Sequence, residues 1–344
     1  MIDIFHSPFK NKDILFMSIR FFDYENLIKE ELQSLGANVD WFDERPSNSL
    51  YTKAAIRVSR KSVEPNIENY FNKLIETIKH KQYDYFLLIK GETTPKFFLD
   101  FLKYSNPKIQ LIFYTWDSFA NNSAGLSILN CFDRKYTFDR DDAKKYNISF
   151  RPLFFSKNYE ILSENKLGAR NTYDLSFIGT AHSDRYNVSE KIKIECNKKS
   201  LSMFTFYYSP SKILFELKKI FVNDFRRFDR NRISFESLSH QQIINLFQNS
   251  KAILDINHPN QKGLTMRTFE ALGANCKLVT TNYEITTYPF YNTSNILVID
   301  RNNPKIEEDF FKTPFVKIQE NLFNAMSLRG WCFEIFGFTK PSNG

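Results

Sequence analysis

Residues 252–282 read AILDINHPNQKGLTMRTFEALGANCKLVTTN, and this stretch decides the fold. AILDI is a continuous apolar run of strand length. Leu264 to Leu272 has the spacing of an amphipathic helix, and CKLVTT is again an apolar strand. A strand, a helix and a second strand in that order require a crossover connection, so the two strands run parallel in a sheet covered on both faces. Gly263 stands between the first strand and the helix, where unpaired N–H groups and the positive dipole end favour an anion.

The same alternation continues in both directions. Upstream, Ser239 opens a helix with Gln242 three residues on, a capping-box pattern, and Ile243, Leu246 and Phe247 supply its buried stripe. YDLSFIG (173–179) and SMFTFYY (202–208) read as strands, and NILVI (295–299) as one more. In the first half, KDILFMS (12–18), NVDWF (38–42), YDYFLLIK (83–90) and KIQLIFYTW (108–116) alternate with helical stretches. These are Asp23 to Leu35, closed by Gly36, then IENYFNKLIETIKH (67–80) and PKFFLDFLKY (95–104).

The pattern predicts an α/β protein with two Rossmann-like domains, 1–155 and 172–315, joined by a connector. Residues 316–344, with FVKIQENLFNAMSL, are expected to form a final helix packing back toward the first domain. A chain of 344 residues is about twice the usual single-domain length. Ligands of such sheets bind beyond the carboxyl ends of the strands, where strand order reverses, so two facing domains would place a site on each wall of a cleft.

Composition narrows the class. Hydrophobic residues make up 42% and charged residues 25%, which argues against long disorder, and the 36 Phe imply an aromatic core. No apolar run has the length of a membrane span, and MIDIFHSPFK does not resemble a signal peptide, so a cytoplasmic protein is expected. Cys131, Cys196, Cys276 and Cys332 lie far apart, as expected of reduced thiols rather than a zinc site or disulfides. The net charge of +8 is spread along the chain, favouring solvated faces with a bias toward a membrane surface over a nucleic-acid groove.

Candidate site residues cluster just after strands. On the helix after Gly263, Arg267 and Glu270 lie about 60° apart, opposite the arc of Met266, Phe269 and Leu272. That spacing predicts a guanidinium suited to phosphate beside a carboxylate suited to hydroxyls, with Leu264 and Thr265 in the same loop. After YDLS, Gly179 and Thr180 are read as a tight turn that brings His182 and Arg185 to the same anion. Asp117, Glu92 and then Asp23 follow strands of the first half and are candidate general bases. Each also has a plainer reading as a helix cap or a solvated acid. Asp141 and Asp142 read as a helix-start pair, and no DxD is present, so no metal is expected.

The run Gln261, Gly263, Leu264, Arg267, Phe269, Glu270 and Leu272, followed by Lys277 to Thr280, resembles the donor-site motif of CgeB-like bacterial glycosyltransferases of surface-polysaccharide synthesis. The resemblance extends through SLSHQQIINLFQNSKAILDINHP and FIGTAHSDRY, and into the first half at FDERPSN and YTWDS. It implies a GT-B fold with a nucleotide sugar, UDP- or GDP-linked, as substrate in the second domain and no separate cofactor. It also implies that Glu270 binds ribose and that Arg267, Arg185 and the Gly263 loop bind diphosphate. Ser239 and His240 would lie near the base, and Asn257 and His258 near the donor sugar. Related retaining enzymes carry E-x7-E, whose first Glu would fall at 262; this chain has Lys262, which favours inversion. The expected acceptor is a capsule or lipopolysaccharide glycan, lipid-linked at the inner membrane face, which Phe21, Phe22, Trp41 and Arg57 would contact. The competing expectation is a non-catalytic GT-B-fold protein that binds nucleotide or glycan.

Overall fold

The near-continuous apolar runs become strands because a parallel sheet is buried on both faces. The computed structural model describes residues 7–49, 52, 56, 60–165, 172–259 and 261–339. It divides into unit 1, Met1–Pro152 with Leu328–Gly344, and unit 2, Leu153–Ser327.

In unit 1, β1 (Asp13–Ser18), β2 (Asn38–Asp43), β3 (Tyr85–Ile89), β4 (Gln110–Thr115), β5 (Arg134–Thr137) and β6 (Ser149–Phe150) form one sheet. Its order is β2-β1-β3-β4-β5-β6, every pair parallel. The chain leaves β1 for β2 on one side and returns for β3 on the other, so the strand order reverses between β1 and β3. Phe71, Phe86, Phe98 and Phe113 fill the core between the sheet and the helices Arg60–Ile78 and Lys96–Ser105.

Beyond β3, Lys90 and Gly91 take φ of 90° and 68°. A side chain on Gly91 would place Cβ 2.7 Å from Phe113 Cε2, so glycine is required there for both backbone and space. The turn is held from below by Glu44, whose Oε1 accepts from the amides of Thr93 and Thr94 at 2.7 and 3.1 Å. Burial is the largest influence on Glu44, and its carboxyl is pushed up to about 7 from an ordinary 4.5. A group with a raised folded pKa binds a proton that the unfolded chain has already released between those two values. Stability is therefore expected to rise as pH falls from 7 toward 4.5, by at most about 1.4 kcal/mol per pH unit from this group. Glu44→Gln should flatten that slope in urea melts across the range, and an unchanged slope would count against the assignment.

The last helix of unit 1, Leu328–Ile335, is reached only after the chain has built all of unit 2. It carries Trp331 edge-on to Tyr114 of β4, with ring centroids 4.9 Å apart. The segment read as one final helix is instead two, Glu320–Met326 in unit 2 and Leu328–Ile335 in unit 1.

Unit 2 repeats the plan with β7 (Tyr173–Thr180), β8 (Met203–Tyr208), β9 (Ile233–Ser234), β10 (Ser250–Asp255), β11 (Lys277–Thr280) and β12 (Ile296–Val298). The order is β12-β11-β10-β7-β8-β9, again all parallel. Counted outward from β7, this is the dinucleotide-binding arrangement, with the reversal between β7 and β10. Its core gathers Phe177, Tyr207, Phe215, Phe225 and Phe228. The reading of two Rossmann-like α/β halves therefore holds.

Candidate functional site

The segments after β7 and β10 are the two that flank the reversal in unit 2. After β7 comes Ala181-His182-Ser183-Asp184, with Ser183 at φ 49°, and then the helix Arg185–Lys198. The turn is thus at Ser183. Gly179 and Thr180, read from sequence as the turn, continue β7 and pair with Tyr207 and Tyr208. Glycine at 179 has a packing reason instead: a Cβ there would lie 2.6 Å from the Phe177 ring.

Arg185 Nε donates to the carbonyl of Ile256, just past β10, at 2.7 Å and so ties the two segments together. Its guanidinium is pulled down to about 10, mainly by burial, and also by Arg267 and Arg301, while Asp255 and Asp184 oppose the shift. Arg267 and Arg301, from two other segments, therefore both act on Arg185. With its value near 10, Arg185 remains a cation at neutral pH.

Arg301 was not singled out from the sequence. It follows β12, donates to Asp184 Oδ1 at 2.6 Å, and reaches Asn257 O and Oδ1 at 2.5 and 2.9 Å. Asn257 is further fixed by Thr281 Oγ1, at 2.8 Å, and by its own donation to Gln261 O, at 2.8 Å. The rule that pointed to the other loops, the carboxyl end of a strand, applies equally to NILVIDR.

Asp255, at the end of β10, was also missed. It is buried, and its Oδ2 accepts from the hydroxyls of Thr265 and Thr268, both at 2.9 Å. Thr265 is the N-cap residue of the helix Met266–Gly273, yet its hydroxyl turns to Asp255 and makes no cap bond to that helix. The first-turn amides are thus without the usual side-chain acceptor, and the helix dipole points the same way. Gly263 and Leu264 are buried, while Lys262 is exposed and offers its carbonyl to Asn282 Nδ2 at 2.9 Å.

Arg267 and Glu270 form an ion pair at 2.8 Å, with the guanidinium over the Phe247 ring. The sequence placed both on an open polar face, but Glu270 is only 4% exposed. What covers it is Tyr159, from the helix Lys157–Asn165, a stretch read as plain connector. Tyr159 also packs edge-on against His240 and Phe247. Its hydroxyl is held well above the usual range by burial first and then by the Glu270 charge. Ser239 caps its helix in the expected capping box, and His240 Nε2 lies 2.9 Å from Asn158 Nδ2. The fold thus brings Ser239–His240 to Arg267–Glu270 through Tyr159.

His182 and His258 stand 5.8 Å apart between ring centroids. Burial, then Arg185, His258 and Lys218, push the His182 imidazole down to about 3, so it is neutral at pH 7. A neutral ring among cations can accept or donate one hydrogen bond without adding charge.

In unit 1, the segments beyond β3 and β4 carry the other candidates. Glu92 is gripped by Arg45 at 2.5 Å and lies 3.6 Å from Lys90 Nζ, and its side chain is buried. Asp117 is 3.2 Å from the same ammonium but about a third of its side chain is exposed. It caps no helix; its backbone N–H is held by Thr115 Oγ1 at 3.2 Å. Asp23 hydrogen-bonds Asn26 at the start of the helix Tyr24–Ser34. Lys90, buried and backbone-strained, is a further residue the sequence reading passed over. Of the aromatic residues expected at a membrane, Phe22 is exposed, Phe21 leans on Trp116, and Trp41 donates to Ser18 at 3.0 Å. Arg57 lies outside the described residues. Asp141 and Asp142 stand in the first turn of the helix Arg140–Tyr146, as read, and Asp139 caps it, accepting from their amides. Among the described residues no helix is long and apolar enough to cross a membrane.

Comparison with known proteins agrees with the fold. Residues 218–308 match a family model described as glycosyl transferase-like. No curated protein matches the sequence. An α,α-trehalose 6-phosphate synthase from Burkholderia multivorans superposes with TM-score 0.59 at 11% identity, covering 96% of this chain and 95% of that one. An α-glucosyltransferase in complex with UDP and a mismatched DNA gives 0.56 at 10%, covering 93% and 95%. A UDP-GlcNAc 2-epimerase from Neisseria meningitidis bound to UDP-GlcNAc gives 0.55 at 11%, covering 95% and 100%. The two-unit GT-B-like architecture is shared by all three.

Proposed function

We propose that this chain is a glycosyltransferase that takes a sugar from a nucleoside diphosphate donor held by unit 2. The observation that carries the reading is the convergence of Arg185, Arg267 and Arg301 at the β7/β10 reversal. They stand beside a helix start whose cap hydroxyl is turned away. Arg267 and Arg301 press on Arg185, and a bound diphosphate relieves that repulsion while accepting the helix amides. The glycosyl transferase-like match over 218–308 spans two of the three arginines, and two of the superposed structures hold UDP or a UDP-sugar.

In this reading Arg185 and Arg267 take the diphosphate with Gly263, Leu264 and Thr265. Arg301 holds Asp184 and Asn257 in place. Glu270, ion-paired to Arg267, serves the ribose once the nucleotide draws that arginine toward phosphate. The Ser239–His240 turn faces the base, and Asn257, His258 and His182 line the sugar. Arginines and helix amides offset the charge that develops on the leaving diphosphate, which is the largest electrostatic demand of the step and needs no metal. We assign Asp117 as the base for the acceptor hydroxyl, since Glu92 is engaged by Arg45 and Asp117 is not closed in. The acceptor is a surface glycan, and Lys262 in place of a second carboxylate favours inversion.

Calorimetric titration with UDP, GDP, CDP and ADP tests the first step. One nucleoside diphosphate is expected to bind with micromolar affinity, and its sugar conjugate to release free nucleotide when a glycan acceptor is added. Indifference to all four would remove the reading. Binding without release under every acceptor would leave a nucleotide-binding protein that does no chemistry.

A further inference from the structure

The helix Lys212–Phe221 of unit 2 turns its apolar side outward. Ile213 is 74%, Ile220 61% and Phe221 78% exposed, and Leu214 and Leu217 are exposed beside them. At 100° per residue these five fall within an arc of about 120°, and the arc is centred roughly 160° from Phe215, the residue that anchors the helix in the core. Scattered exposed apolar side chains are ordinary, but a contiguous stripe on one helix is not. Val222 continues it.

The rim of the stripe is basic. Lys212 and Lys218 flank it on the helix, and Arg226, Arg227 and Arg230 follow in the next turns, all exposed. Arg226 reaches back to the carbonyl of Ile220 at 3.1 Å, which sets it at the edge of the apolar stripe. The acids nearby are fewer, and Glu216 is paired with Arg230 at 3.2 Å. A second protein would leave this ring of cations to be matched residue by residue. An anionic lipid surface matches it with no register, since apolar side chains enter the acyl boundary while lysine and arginine stay at the headgroups.

We propose that the helix Lys212–Phe221 is a docking element for an anionic lipid bilayer. Lys218 acts electrostatically on His182, so the basic rim lies within electrostatic reach of the segment after β7. Docking through it holds that site at the headgroup level, where a lipid-linked acceptor would be met. The proposal is distinct from the aromatic residues of unit 1 and does not depend on the donor assignment.

The test is co-sedimentation of the whole chain with phosphatidylglycerol vesicles and with phosphatidylcholine vesicles. Binding is expected to the first, with salt weakening it, and little to the second. The double substitution I220S/F221S, on exposed positions that leave Phe215 untouched, should reduce binding at least about tenfold without changing the thermal midpoint. R226E/R227E should reduce it through charge alone. No binding to either vesicle, or binding unchanged in both variants, overturns the proposal. So does a concentration-dependent dimer that the same substitutions dissolve, because the stripe would then be covered by a second copy. Nucleotide titration of the same sample separates failure here from failure of the donor site.

Discussion

Arg185→Ala is expected to weaken nucleoside diphosphate binding about 100-fold, the loss of roughly two charge-assisted hydrogen bonds. Arg185 belongs to the segment after β7 and bonds Ile256 O after β10, so it ties the two sides of the reversal, as Arg301 does through Asp184 and Asn257. Its removal takes a cation from the anion's position and also releases the segment after β10. The unliganded thermal midpoint measures the second effect, and the calorimetric Kd for UDP or GDP measures the first. Arg185→Lys should retain charge but lose the planar fork, falling between wild type and alanine. Equal affinity in all three proteins would show that the diphosphate, if bound, lies elsewhere.

Glu334→Ala is expected to cost about 3–5 kcal/mol of stability, because it removes the carboxylate that offsets the buried Arg151 charge. Their nearest approach is 3.0 Å, and both side chains are nearly inaccessible. Burial already pulls Arg151 below its ordinary value, and the Glu334 charge is the largest influence opposing that shift. For a unit of this size the loss corresponds to a fall of about 10 °C in Tm. Urea unfolding read by tryptophan fluorescence is suited to the measurement, since Trp331 sits on the same helix. A loss of under about 1 kcal/mol would count against this role of the pair. Glu334→Gln, which keeps an acceptor but no charge, should cost less than alanine. The pair matters to architecture, because Glu334 belongs to a segment that follows unit 2 in sequence yet is part of unit 1.

The main strand-and-helix alternation, the parallel sheets and most loops after strands were legible in the sequence; the short strands β5, β6 and β9, the helix Lys157–Asn165 and the loop carrying Arg301 were not. A parallel strand buried on both faces must be apolar along its length, and a helix beside it must be apolar on one side, so KDILFMS, YDYFLLIK and AILDI announce themselves. Caps are legible for the same local reason, as the Ser239–Gln242 box shows. What periodicity reports is the angle of a side chain about its own helix, and it cannot report what another segment lays against that face. Arg267 and Glu270 do lie side by side as spacing requires, but Tyr159, from a stretch more than a hundred residues earlier, decides that Glu270 is covered. Arg301 joins Arg185 because β12 and β7 belong to one sheet, and that follows from strand order alone. The sequence by itself determined the main strands and helices and the loop at Gly263, but it set the turn after β7 at Gly179–Thr180, where the strand continues and the turn comes at Ser183. Only the tertiary structure decided which charges meet, because Coulomb energies and burial depend on distances between segments that strand order sets and local spacing does not contain.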